Sequence, residues 1–231
     1  NLGVRVDRFD ANQMVLKDPY LLYPARSVAE VQSVGGVAVD HPDNMGTDYI
    51  VYVDNDDNPT RITGYRDESV WYNAEGTEIQ DPNVLNVGSG VSPYLVDATL
   101  TRPPMDAFED YNPQINVMPR IAFSFPISDV ALFFAHYDVL TQRPTSNLYS
   151  DPRVYYFFDN IGGTINNPNL KPSKTIDYEL GFQQKLSPTS SLKFVAFYRE
   201  MRDMIQIYRF NGAYPKDYTS YNNIDFGTVK G

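Results

Sequence analysis

The sequence predicts an all-β chain that forms part of a large antiparallel transmembrane β-barrel with long extracellular loops. Three observations carry that expectation. Hydrophobicity repeats at every second residue over long segments, tight turns alternate with long connections, and no apolar run is long enough for a spanning helix.

The alternation is cleanest between Thr175 and Gln184. There Ile176, Tyr178, Leu180 and Phe182 alternate with Asp177, Glu179, Gly181 and Gln183. A period of two marks a strand with one apolar face, and a face that carries Asp177 and Glu179 must be wet. The same period places Ile115, Val117, Ile121, Phe123 and Phe125 against Asn116, Met118, Arg120, Ala122 and Ser124. It places Ala131, Phe133, Ala135, Tyr137 and Val139 against Leu132, Phe134, His136, Asp138 and Leu140. It recurs from Leu192 to Arg199, at Leu2–Asp7, and around Ile224 and Phe226. Six strands are therefore expected, over 1–10, 114–126, 130–142, 174–186, 190–209 and 221–231. Several exceed the roughly 9–11 residues that a tilted membrane strand needs.

Connection lengths sharpen the expectation. Pro126-Ile127-Ser128-Asp129 and Ser187-Pro188-Thr189-Ser190 are short and rich in turn-forming residues. The intervening connections, 11–113, 143–173 and 210–220, are long. Short turns at one end and long loops at the other is the layout of outer-membrane barrels, with the turns periplasmic. The alternation alone is also compatible with a soluble antiparallel sandwich.

Composition narrows the function. The 231 residues carry a net charge of -10, 18 Tyr and no Cys. A Lys/Arg surplus for gripping phosphates is missing, so nucleic acid is not an expected partner. Without Cys there is no disulfide framework, thiolate metal site or Cys nucleophile. The mean hydropathy of -0.40 is uninformative about barrels, whose strands average lipid-facing with lumen-facing residues. The opening Asn1-Leu2-Gly3-Val4 has no initiator Met and no signal-like core, and reads as the middle of a longer protein.

The run Asn167-Pro168-Asn169-Leu170-Lys171-Pro172-Ser173-Lys174-Thr175, leading into Asp177-Tyr178-Glu179-Leu180-Gly181-Phe182, resembles the late-barrel motif of TonB-dependent receptors. That motif has a loop of the form N-P-x-L-K-P-E-x-T before a Y-E-L-G strand, and Ser173 replaces its Glu. Phe197-Tyr198-Arg199-Glu200, Asn222-Asn223-Ile224-Asp225 and Gly227-Thr228-Val229-Lys230-Gly231 follow in the family's order, and upstream Met118–Ser124 with Tyr137 and Gln142-Arg143-Pro144 resembles the P-R-I-x-x-S-Y and F-x-x-P hairpin of the same region. More narrowly, the chain is similar to large Oar-like receptors. The resemblance implies a barrel of 22 strands, of which about six are present, with the plug domain and TonB box outside these residues. It implies energy-coupled solute uptake, with TonB and its inner-membrane motor, outer-membrane lipid, and a surface lipoprotein or other outer-membrane subunits as partners. A barrel acting as scaffold in a larger assembly, and a soluble extracellular β-domain binding carbohydrate, are the two rival readings.

On the barrel reading Arg5, Asp7, Arg120, His136, Asp138, Asp177, Glu179 and Gln183 face the lumen. Ile121, Phe123, Phe125, Phe133, Tyr137, Ile176, Tyr178, Leu180 and Phe182 face lipid. His136 beside Asp138 invites a catalytic or metal reading, but two His, no Cys and no G-x-S-x-G elbow offer no triad or zinc set. No catalytic residue, metal or cofactor is expected. Asp54-Asn55-Asp56-Asp57-Asn58 lacks the Gly and distal Glu of a calcium loop and reads as a polar turn. The aromatics Tyr155, Tyr156, Phe157, Phe158, Tyr208, Phe210, Tyr214, Tyr218 and Tyr221 are expected at strand ends, as an interfacial girdle, or in ligand-facing loops. The first loop, 11–113, carries strand-like pieces at 48–54, 61–66 and 69–73 and is expected to form an ordered extracellular elaboration that caps the pore or binds a partner.

Overall fold

Segments with a period of two become strands of one sheet, laid side by side in chain order. In the computed structural model, which describes residues 1–88, 90–145, 152–225 and 227–231, strand accounts for 52% of the described residues, so the class is all-β. The large sheet contains β1 (Leu2–Phe9), β2 (Gln114–Ser128), β3 (Ala131–Gln142), β4 (Ser173–Ser187), β5 (Ser190–Arg202) and β6 (Gly227–Lys230). Their spatial order equals their sequence order, and every neighbouring pair is antiparallel. At about 3.3 Å per residue, the 15 residues of β2 and of β4 reach on the order of 50 Å, longer than a bilayer crossing requires.

The two tight connections fall at one end of this sheet. Asp129-Val130 links β2 to β3 and Pro188-Thr189 links β4 to β5, each flanked by a register shift. The turns sit side by side, since the Lys185 N–H donates to the Val130 carbonyl at 2.7 Å. Ser187 and Ser190 close the second turn through their hydroxyls, 2.6 Å apart.

The long connections meet at the opposite end and build a cap. Residues 11–113 contribute an antiparallel five-stranded sheet in the order Glu78–Ile79, Val70–Asn73, Ile62–Asp67, Ile50–Val53, Ser92–Pro93. The Pro-rich return ends in Phe108–Asp110, which pairs with Met14–Leu16. Met204–Phe210 and Tyr218–Ile224 form a hairpin, with Thr164–Ile165 added in parallel to Tyr218–Ile224. Leu16, Tyr20, Leu22, Tyr52, Trp71, Phe108, Tyr155, Phe158, Phe210 and Tyr218 from all three connections bury one common core. A second core of Val28, Val31, Val34, Val51, Val53 and Tyr65 lies within the first connection. Burying each such side chain contributes about 1.5–3 kcal/mol, so the stabilising apolar contacts concentrate in the cap and not on the large sheet.

The run Asn167–Lys171 fastens this cap. Pro168 and Leu170 are fully buried. The Asn223 side chain accepts from the Lys171 N–H at 2.8 Å and donates to the carbonyls of Lys171 and Asp203 at 2.9 and 2.8 Å. Asn167 Nδ2 donates to the Tyr221 carbonyl at 2.9 Å. A loop without its own ladder thus acquires partners for its backbone groups.

Two expected strands prove to be broken. The segment 190–209 splits at Asp203, whose φ of 51° turns the chain out of the sheet. Beyond it Met204–Phe210 pairs within the cap hairpin. The segment 221–231 splits likewise into the end of Tyr218–Ile224 and β6, while Phe226 lies outside the described residues. The Asp203 N–H donates to Asp225 Oδ1 at 3.2 Å, so the two breaks face each other.

Candidate functional site

The large sheet has two chemically opposed faces, because residues directly paired across antiparallel strands share a face. On one face, Tyr137, Tyr178 and Tyr198 form a row with ring centroids 5.1 and 5.9 Å apart. Ile121 continues that row on β2. Phe125, Phe133, Phe182 and Phe194 form a second row, and Phe123, Ile176 and Leu180 share the same face. Phe133, Tyr137, Ile176 and Phe182 are half-buried by their neighbours. Phe123, Phe125, Leu180 and Phe194 are 54%, 55%, 55% and 62% exposed. Leu2, Val4, Val6, Ile115 and Val117 extend this exposed apolar surface across β1 and β2.

The opposite face is ion-paired. Arg120, Asp138, Asp177 and Arg199 line up across β2 to β5. Arg120 Nη2 and Nε donate to Asp138 Oδ2 at 2.6 and 2.9 Å, and Arg199 Nη2 donates to Asp177 Oδ2 at 2.6 Å. His136 Nε2 lies 3.8 Å from Asp138 Oδ2, and Glu179 pairs with His136 one row on. Arg143 Nε donates to Asp7 Oδ2 at 3.0 Å. Arg5 and Gln183 belong to the same face. The eight polar positions singled out in the sequence are therefore brought onto one face and the nine apolar ones onto the other. The arginines of these pairs are about half-exposed, whereas their carboxylates are largely covered, the Asp138 side chain being 6% exposed, so the pairs fix side-chain geometry on this face.

Gly181 belongs to the polar face for a steric reason. A Cβ there would sit 2.0 Å from Cζ of Phe134, whose ring lies across the glycine, with Lys193 Nζ 4.7 Å from the ring centroid.

The cap holds a buried cation that sequence spacing does not announce. Arg66 is 2% exposed. Its guanidinium donates to the Asp18 carboxylate, to Tyr52 Oη at 2.9 Å and to the Glu68 carbonyl at 2.6 Å. It also lies 4.9 Å from the Tyr20 ring centroid and 5.6 Å from that of Trp71. Burial opposes its charge, but Tyr52 and Asp18 outweigh burial and raise its affinity for the proton. Burial likewise pushes the Tyr52 phenol up to about 12, against the pull of Arg66. The group borders a cleft of about 840 Å³ between the first connection, Asn169–Lys171 and the Met204–Ile224 hairpin. Asp18 and Arg66 stand 48 residues apart in the chain, and only the fold joins them.

Other sequence candidates resolve structurally. Asp54 Oδ1 accepts from the N–H groups of Thr60 and Arg61, and its other oxygen from the Thr60 hydroxyl. Asn55 Oδ1 accepts from the N–H groups of Asp57 and Asn58 at 2.9 Å, and Asp56 Oδ2 accepts from the Tyr214 hydroxyl, so this polar turn serves its own backbone and a contact to the third connection. Tyr155, Phe158, Phe210 and Tyr218 are core residues of the cap, neither girdle nor loop tips. Trp71 is buried with them, and Tyr72 stacks on Tyr49 at 5.6 Å.

No family model and no curated protein matches the chain. Among solved structures, a double mutant of the Serratia marcescens hemophore receptor HasR, in complex with its hemophore HasA and heme, is similar over 58% of this chain. The identity is 13%, the TM-score 0.38, and the match spans 22% of the receptor's own length. A likeness of that size carries neither fold nor function, and nothing below rests on it.

Proposed function

We propose that these residues form part of the wall and the outer cap of an outer-membrane β-barrel, and that the barrel serves energy-coupled solute uptake of the TonB-dependent kind. The observation that supports this most is the two-faced sheet. Its apolar face exposes many large side chains, among them Leu2, Val4, Phe123, Phe125, Leu180 and Phe194, with no protein layer over them among the described residues, and large contiguous apolar patches are uncommon on a soluble surface. Lipid is the cover that suits one such face while the other keeps hydrated ion pairs. On this reading Ile121, Phe123, Phe125, Phe133, Tyr137, Ile176, Tyr178, Leu180 and Phe182 meet lipid. Arg5, Asp7, Arg120, His136, Asp138, Asp177, Glu179 and Gln183 line the lumen, with no catalytic part.

The outer edges of β1 and of most of β5 are unpaired among the described residues. In lipid each orphaned backbone group costs several kcal/mol, so further strands of the same barrel complete these edges. The cap, at the end away from the tight turns, lies outside the cell. The resemblance to TonB-dependent receptors supplies the 22-strand barrel, the plug and the coupling to the inner-membrane motor. Carbonate and urea washing of outer membranes tests the placement. The protein stays in the membrane and migrates differently in detergent gels before and after boiling; release into the wash as a soluble species contradicts the reading. Capture of TonB by the membrane-held protein separates transport from scaffolding.

A further inference from the structure

The cap carries a groove that the uptake reading does not use. It lies wholly within residues 17–107, has a volume of about 630 Å³, and is floored by Leu21, Tyr23, Ile50 and Leu100. Val96, 52% exposed, extends the apolar surface at its side. Glu30, Asp97 and Asp106 stand at the exposed rim, with Lys17 as the single exposed base. Asp18, also at the groove, is already neutralised by Arg66.

The groove's charge agrees with its surroundings. Residues 11–113 hold 17 Asp and Glu against 5 Lys and Arg, a net -12, whereas the rest of the chain holds 12 against 14, a net +2. The acidity of the whole chain is thus confined to this first connection. Of the five bases in residues 11–113, Arg66 is buried against Asp18, Arg61 stands 4.0 Å from Asp54, and Arg26 lies over the Tyr94 ring and donates to the Leu95 and Val96 carbonyls, which leaves Lys17 and Arg102 exposed. Hydrogen bonds from the Thr99 hydroxyl and N–H keep the Asp97 carboxyl below the ordinary carboxylate range, so it remains ionised.

We infer that this groove docks a cationic polypeptide segment in which Lys or Arg alternates with large apolar residues. A small hydrated cation gains nothing from the apolar floor, and a neutral apolar solute leaves the rim unmatched. A basic and apolar segment satisfies both: its apolar side chains displace water from the floor, and its cations sit against the rim. The surrounding negative field also speeds encounter, in a salt-dependent way. The inference stands on the cap alone and is independent of the membrane placement.

The test is a titration of the intact protein in zwitterionic nanodiscs with a fluorescent ten-residue peptide alternating Lys and Leu, read by anisotropy against empty nanodiscs. Glu–Leu and Lys–Gly peptides of equal length serve as comparators. The Lys–Leu peptide binds and both comparators bind at least tenfold more weakly. Leu100→Asp and Asp106→Lys each weaken it tenfold or more, whereas Glu75→Lys, the same reversal on an exposed turn elsewhere in the cap, changes affinity less than threefold. Equal losses from Glu75→Lys and Asp106→Lys overturn the groove in favour of diffuse charge. Absence of Lys–Leu binding, or equal binding of Glu–Leu, overturns it outright. Unchanged Trp71 emission in each variant shows that the cap is folded. A protein that needs no detergent defeats the barrel reading only, and the same titration then runs in buffer.

Discussion

At Gly181 the sequence and the structure meet in a single atom. The Y-E-L-G strand needs a residue without Cβ because the Phe134 ring occupies that place, 2.0 Å from where a Cβ would stand. Gly181→Leu should cost about 1–3 kcal/mol by overpacking, lowering the urea midpoint in lipid vesicles. Phe134→Ala in the same chain should recover part of that loss, and additive losses would refute the ring contact as cause. Arg66→Met removes the donor from the Asp18 carboxylate, Tyr52 Oη and the Glu68 carbonyl and should cost about 3 kcal/mol, read from the thermal transition of Trp71 fluorescence; an unchanged midpoint would mean the guanidinium contributes nothing net. Asp54 gives a pH effect. Burial raises its carboxyl, but the hydrogen bonds from Thr60 and Arg61 outweigh burial and hold it below the ordinary value. Because its folded affinity for the proton is depressed, its contribution is present above about pH 4, the unfolded range, and fades as pH falls through the folded value. Amide exchange at Thr60 and Arg61 should accelerate over that window, and Asp54→Asn should abolish the dependence.

Among elements, β4 was the most readable strand of the large sheet because it carries a strict period of two with no core to disturb it. Ile176 to Gln183 alternate without a fault, and their register with β3 and β5 sets Tyr178 beside Tyr137 and Tyr198, and Phe182 beside Phe133 and Phe194, on one face. The break at Asp203 was not readable. One residue in a left-handed conformation interrupts the sheet without altering the alternation on either side. The cap core was equally hidden, since Tyr20 and Tyr155 lie outside the strands while Tyr52 and Tyr218 belong to separate short strands, with no common period. Arg66 stands inside a strand-like run whose spacing gives no sign of its role, for Asp18 comes from a separate loop and Tyr52 from the neighbouring strand. The facing of the strands has an energetic consequence. Leu180→Arg should destabilise by about 2–4 kcal/mol near the bilayer midplane, while Gln183→Arg on the hydrated face should cost less than about 1 kcal/mol. Equal costs in a lipid-vesicle unfolding titration would deny the distinction between faces.

For the molecule as a whole, stability and membrane contact occupy different places. The long connections hold the buried aromatic clusters and nearly all the packed core, and the six-stranded sheet offers a bare apolar surface and open edges. Such a sheet is unsatisfactory in water and suited to a barrel wall, where lipid covers one face and neighbouring strands complete the edges. The negative charge gathered in the cap then stands outside the bilayer, away from the hydrocarbon. The absence of Cys from these 231 residues permits a direct reading of the faces. Each position from Ile176 to Gln183 is replaced singly by Cys, labelled with a nitroxide in the membrane-held protein, and measured for collision with oxygen and with a water-soluble nickel chelate. The account predicts that oxygen dominates at 176, 178, 180 and 182 and the chelate at 177, 179 and 183; a profile without that alternation, or with its phase reversed, would contradict it.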